Sequence, residues 1–328
     1  MRIPTTLAAI AVLTVGLIAR AQTGWVDPSS HRERLVRVEA DVDVEVLDWG
    51  GAGRTLVLLA QLGQTAHIYD DWAPRLARSY RVVGVTRRGY GASSAPATGY
   101  SAARLGRDIV AVLDAEKILR PVLVGNQFAG EELFWIGAQV PARVAGLVYL
   151  DAAYDRSNIG AEISIARRIP PPPPPGPDDM ASAQAMTRWA SKGGVSIPES
   201  EVRQMGRFGG DGRLIGERTP AAVRQQILAG LTKADYSKIQ APVLAIYAKP
   251  TSPESFPGCV TDNDAARGAC RELYDWTLQH LSDSERSVRT IRSNVRVLEL
   301  LGANPFVFLS NEGEVRSAID QFVESLPR

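Results

Sequence analysis

The sequence predicts an α/β fold: a mostly parallel sheet flanked by helices, with a helical insertion. Two observations carry this expectation. Short continuous apolar runs at residues 55–60, 121–124, 144–150, 242–248 and 295–301 read as strands buried on both faces. Helical stretches separate most of them, which is the rhythm of a parallel sheet with crossover helices.

Taken in order, residues 35–47 alternate apolar and polar positions through Val36, Val38, Ala40, Val42, Val44 and Val46. This period of two reads as an antiparallel pair of strands with one buried face. A helix is expected over residues 65–78, a strand over 81–85, and a Gly-rich turn over Arg87–Ser94. Ser101 is placed to cap a helix running to Glu116. At 121–138 a strand passes through Gly125, Ala129 and Gly130 into a helix, so a tight small-residue turn is expected there. Residues 262–291 read as mostly helical. Residues 313–326 form an amphipathic helix with Val315, Ile319, Phe322 and Val323 on one face.

The sheet rhythm stops between residues 156 and 239. Six consecutive prolines, Pro170–Pro175, cannot form helix and read as a stiff extended spacer. Polar helical stretches follow at 181–190, 198–205 and 220–231. This segment is expected to be a lid over the carboxyl edge of the sheet. It divides the core into residues 22–155 and 240–328.

The chain has 328 residues, 45% hydrophobic and 22% charged, with a net charge of +1. These values suit a soluble globular protein and give no basic surface for nucleic acid. Arg2, the apolar run Leu7–Ile18 and Ala19-Arg20-Ala21 match a signal peptide over residues 1–21, which predicts a secreted or periplasmic protein. An uncleaved anchor is the alternative, although the run is short for a bilayer span. Cys259 and Cys270 are the two cysteines. In an exported protein they are candidates for a disulfide, with two unpaired thiols as the other reading. With no histidine beside them, no metal site is expected. The phosphate-cradling G-x-x-x-x-G-K motif is absent, and no G-x-G-x-x-G follows a strand, so no nucleotide or other organic cofactor is implied.

Four motifs carry a resemblance. They are Leu62-Gly63-Gln64-Thr65-Ala66-His67, Gly84-Val85-Thr86-Arg87-Arg88-Gly89-Tyr90-Gly91-Ala92-Ser93-Ser94, Val122-Leu123-Val124-Gly125 with Ala129-Gly130-Glu131-Glu132-Leu133, and Leu147-Val148-Tyr149-Leu150-Asp151-Ala152-Ala153-Tyr154-Asp155. The chain resembles lidded bacterial members of the α/β-hydrolase superfamily over nearly all of its expected mature length. The resemblance implies a nucleophilic serine on the turn after the 121–124 strand, a histidine base after the last strand, and an acid that orients it.

The chemistry-bearing residues depart from that pattern. Gln127 stands at the nucleophile position, and a carboxamide cannot form an acyl-enzyme. Pro305 stands at the histidine position and offers no side-chain acid or base. The His-Gly pair expected after the first buried strand is Ala60-Gln61. Asp151 remains as a candidate acid, with Glu254 as the alternative; neither has a histidine to orient, and Asp151 also reads as an anchor of the lid junction. Of the three histidines, His31 lies in a segment expected to be loose. His280 is mid-helix, and His67 reads as a surface or helix-capping residue.

The degenerate triad predicts a pseudo-hydrolase that binds a small neutral or apolar ligand, with Gln61, Asn126, Gln127 and Phe128 as candidate binding residues. A hydrolase using Glu131, Glu132, Asp151, Glu254 or Tyr90 on a bound water is the second reading. A structural or partner-binding protein is the third.

Overall fold

The computed structural model describes residues 25–327; the expected signal peptide lies outside them. Strands β1 (Arg32–Glu39) and β2 (Val42–Gly50) form an antiparallel hairpin. Strand β3 (Thr55–Leu59), helix α1 (Ala73–Leu76), strand β4 (Arg81–Val85), helix α2 (Ala102–Ala115), strand β5 (Val122–Asn126), helix α3 (Gly130–Gln139) and strand β6 (Gly146–Leu150) follow. The chain then leaves the sheet through helices α4 (Ile159–Ala166), α5 (Ala183–Ala190) and α6 (Glu199–Met205). It continues through the hairpin β7 (Gly206–Phe208) and β8 (Leu214–Glu217) and helix α7 (Ala221–Ala229). Strand β9 (Val243–Lys249), helix α8 (Asp264–Val288), strand β10 (Val295–Leu301) and helices α9 (Val307–Ser310) and α10 (Glu312–Glu324) complete it.

The main sheet has eight strands in the order β1-β2-β4-β3-β5-β6-β9-β10, and every pair from β4–β3 onward is parallel. Alternation along each strand divides the core in two. Val57, Leu123, Leu147 and Tyr247 face a layer containing Ile109, Val112, Leu133, Ile136 and Leu281, from α2, α3 and α8. Leu58, Val124, Val148 and Ile246 face the opposite layer, with Leu76, Val315, Ile319 and Phe322 from α1 and α10. Both faces are covered, which explains why the sequence shows continuous apolar runs there.

The helix expected over 65–78 is instead a 3-10 turn, Ala66–Tyr69, followed by the four-residue α1. Pro74 has no N–H to donate, so a helix can start around it but cannot run through it. The β7–β8 hairpin was not anticipated. Its turn uses Gly212 at φ 82° after Gly209 and Gly210. The proline run forms neither helix nor strand. Cys259 and Cys270 are joined in a disulfide that packs with Ile165, Ile169 and Leu273, tying the start of α8 to the beginning of the insert. No helix among the described residues is long and apolar enough to cross a membrane.

Candidate functional site

Strand β5 ends at Asn126, and the next residue, Gln127, turns sharply into a 3-10 turn and then α3. Gln127 has φ 50°, a left-handed conformation that costs a non-glycine residue about 1–2 kcal/mol. The turn is held by close packing. A Cβ on Gly130 would sit 2.1 Å from the carbonyl oxygen of Ala152, and one on Gly125 would sit 2.9 Å from Leu133 Cδ1. The small-residue turn expected from the sequence is therefore formed, and it presents an amide.

Asp151 occupies the corresponding place after β6, since Asn126 pairs with Leu150 in the sheet register. It too has φ 50°. Its carboxylate accepts from three donors: Gln127 Nε2, the Tyr154 hydroxyl at 2.6 Å and the Ala248 N–H at 3.0 Å. Burial pushes Asp151 up to about 6, against the pull of Tyr154 and Ala248. Asp151 thus has no free oxygen waiting for a histidine. Its oxygens are taken by Gln127 of the elbow (the turn between β5 and α3), by its own downstream turn and by β9.

Asn126 is buried, and its amide group donates to the carbonyls of Leu150 at 2.9 Å and Pro305 at 3.0 Å. Pro305, expected at the histidine position, is therefore held against β5 through its backbone carbonyl and is itself exposed. Asn126 Oδ1 is buried without a hydrogen-bond partner. Phe128 is covered by the Arg156 guanidinium, 4.3 Å above its ring, and Arg156 Nε and Nη2 are buried without partners. Arg156 went unnoticed in the sequence because it lies just beyond the last strand motif, where no periodicity marks it.

Gln61 follows β3 and is half-buried; its carbonyl and that of Ala60 accept from Arg87 at 3.3 and 3.2 Å. Arg87 is paired with Glu132 of α3 at 2.6 Å, with both side chains buried. This pair fixes the loop after β3 to the helix that follows the elbow. Glu131, beside it, is pushed up to about 7 by burial, with Arg156 opposing the shift. A cavity beside the elbow is lined by Arg87, Phe128, Glu131, Glu132, Ile227 and Leu231, and it has room for about one water. Of the candidate binding residues, Phe128 lines this cavity, and Gln61, Asn126 and Gln127 do not. The lining combines a buried ion pair with apolar side chains from α2, the 3-10 turn before α3 and the segment around α7.

Glu254 is exposed, and the Ser252 hydroxyl holds its carboxyl below the usual range, so it lacks the dry setting a general acid needs. His280 is stacked between Tyr154 and Trp276, at 5.3 and 4.6 Å. It reaches Asp151 only indirectly, through Tyr154. His67 is buried and not on the surface. His31 is not loose, since only 5% of its side chain is exposed. Both lie in a separate polar cluster.

Residues 24–318 match the family described as the alpha/beta hydrolase family. The chain belongs to that family. Proteins similar to it include 2-hydroxymuconate semialdehyde hydrolase of Pseudomonas sp. (strain CF600), 34% identical over 31% of this chain and 38% of that protein. 3-Oxoadipate enol-lactonase 2 of Acinetobacter baylyi (strain ATCC 33305 / BD413 / ADP1) is 24% identical over 63% of this chain and 75% of that protein. In three of the relatives the matched stretch spans only 45%, 63% and 38% of the relative's own length. Among solved structures, E-2-(acetamidomethylene)succinate hydrolase superposes with a TM-score of 0.66 at 18% identity, covering 90% of this chain and all of that one. At that identity the likeness speaks for the fold, which here is an α/β-hydrolase fold.

Proposed function

We propose that this alpha/beta hydrolase family protein is a pseudo-hydrolase, a ligand-binding member that has given up serine-type chemistry. The observation that carries this reading is the bond from Gln127 Nε2 to Asp151 Oδ2. It puts a non-nucleophilic amide on the elbow and uses the acid that would otherwise orient a base. Pro305 supplies only a backbone carbonyl at the remaining triad position.

Binding is supported by what lies next to the elbow. Arg156 Nε and Nη2 and Asn126 Oδ1 are buried polar atoms without partners. Each such atom costs about 1–3 kcal/mol. A small ligand with an apolar body and an acceptor oxygen would relieve the arginine while packing against Phe128 and Ile227. With room for about one water at present, entry requires the 156–239 segment to shift, which is the behaviour of a lid. The disulfide and the N-terminal motif favour a secreted or periplasmic location.

Thermal shift against a panel of esters, lactones, fatty acids and small carboxylates tests the reading. A saturable rise in Tm, lost in Arg156→Met and unaccompanied by conversion of the compound, supports it. Absence of any shift across the panel contradicts it.

A second reading rests on Glu131. Its carboxyl, pushed up to about 7 beside the elbow, is suited to general acid–base work on a bound water. Ester hydrolysis that survives serine-directed phosphonates and disappears in Glu131→Gln would favour it over the binding role.

A further inference from the structure

The residues with most metal-ligating character lie away from the elbow, where the N-terminal segment meets the 3-10 turn after β3. Asp27, His31 and His67 each bring a ligand atom, all within 4.8 Å of one another. Asp70 joins them: its Oδ1 is 2.9 Å from His31 Nδ1 and its Oδ2 is 3.0 Å from His67 Nδ1. Asp27 Oδ2 lies 3.7 Å from the same His67 nitrogen. Ligands about 2.0–2.1 Å from a tetrahedral Zn²⁺ are separated by about 3.3 Å, close to the Asp27–His67 spacing, while Asp70 turns a different oxygen to each imidazole. Nothing in the sequence marks the group, because its members are distributed over 44 positions with no metal-ligand spacing.

A second observation points the same way. The far nitrogen of His67, Nε2, faces Glu45 Oε1 at 3.5 Å, and both atoms are buried without a hydrogen bond. Glu45 is fully buried, and its other oxygen takes the Thr86 hydroxyl at 2.5 Å. A carboxylate behind a histidine is how metal-binding imidazoles are oriented: Nδ1 turns to the ion while Nε2–H donates to the carboxylate. The side chains of His31, His67 and Asp70 are 5%, 1% and 2% exposed, and only Asp27 reaches solvent, at 27%. The cluster is therefore enclosed on its protein side and open at one carboxylate.

The geometry points to a divalent-cation site, most suited to Zn²⁺, formed by Asp27, His31, His67 and Asp70 with Glu45 behind His67. Two imidazoles and two carboxylates match the N/O preference of zinc and of neighbouring late first-row ions. The ion's role would be structural. It would cross-link the segment before β1 to the turn after β3. Asp70 also accepts from Ser200 Oγ at 2.6 Å, so α6 of the insert would be held to the same point. The inference is independent of the elbow's chemistry.

The test uses the full chain, stripped with a chelator and titrated with ZnCl₂ and CoCl₂ by calorimetry, absorption and thermal melting. One equivalent of Zn²⁺ should bind and raise Tm. Co²⁺ should give the intense visible absorption of a tetrahedral N/O site. Asp27→Asn and His31→Ala change residues outside the strands and helices, so each can be checked for native circular dichroism; each should weaken Zn²⁺ by about tenfold or more. Folded wild type that takes up no stoichiometric Zn²⁺ or Co²⁺ would overturn the proposal. So would folded Asp27→Asn and His31→Ala proteins that bind Zn²⁺ as tightly as wild type.

Discussion

Gln127 Nε2 donates to Asp151 Oδ2 across the carboxyl ends of two adjacent parallel strands, and both residues hold φ 50° to do so. Two strained, non-glycine residues joined by one hydrogen bond make each the support of the other. A serine at 127 could not span that gap in the same way. The amide therefore completes the hydrogen bonding of a buried carboxylate.

The first prediction concerns restoring chemistry. Gln127→Ser releases Asp151 Oδ2, and Pro305→His supplies an imidazole on a backbone already tied to Asn126. The double variant should hydrolyse p-nitrophenyl acetate about 100-fold faster than Gln127→Ser alone, the usual contribution of a positioned base. A double variant that folds and stays inert would place the obstacle at Ala60-Gln61.

The pH dependence follows from Asp151. Its folded value is raised from an ordinary 3.8 to about 6, so between those values the folded state holds more protons than the unfolded chain. Stability from this group is therefore present below about pH 4 and is lost as pH rises to about 6. The loss is at most about 3 kcal/mol. Denaturant melts from pH 4 to pH 7 should show wild type losing ground to Asp151→Asn over that window, with parallel curves above it.

Gly130→Ala should destabilise by about 3 kcal/mol, because its Cβ would meet the Ala152 carbonyl at 2.1 Å and neither α3 nor the buried turn after β6 can yield cheaply. Urea denaturation measures this; a change under half a kcal/mol would mean that the elbow helix is free to move.

Breaking the Arg87–Glu132 pair leaves a buried charge alone. Glu132→Ala should cost about 3–5 kcal/mol. Arg87→Met combined with Glu132→Leu should cost less than the sum of the single changes, and a double-mutant cycle by chemical denaturation reads the difference.

What the sequence disclosed, and what it did not, follows from the range of each interaction. Strands such as 55–59 and 146–150 were legible because burial on both faces writes itself into consecutive residues. The elbow was legible because Gly125 and Gly130 are local requirements. The bond between Gln127 and Asp151 was not, because it depends on the register of β5 against β6. The contact between His31 and His67 is hidden for the same reason: it is made where the chain entering β1 meets the turn after β3. The partners of the candidate binding residues were not legible either, because a carboxamide's availability depends on what it already holds, and Asn126 holds two carbonyls.

The central claim is that the elbow is chemically silent, and ester turnover measures it most directly. Wild type and Gln127→Ala should both be assayed against a p-nitrophenyl ester series from acetate to long-chain acyl groups. A silent elbow leaves both proteins at the rate of buffer. Turnover by wild type that Gln127→Ala abolishes would contradict it.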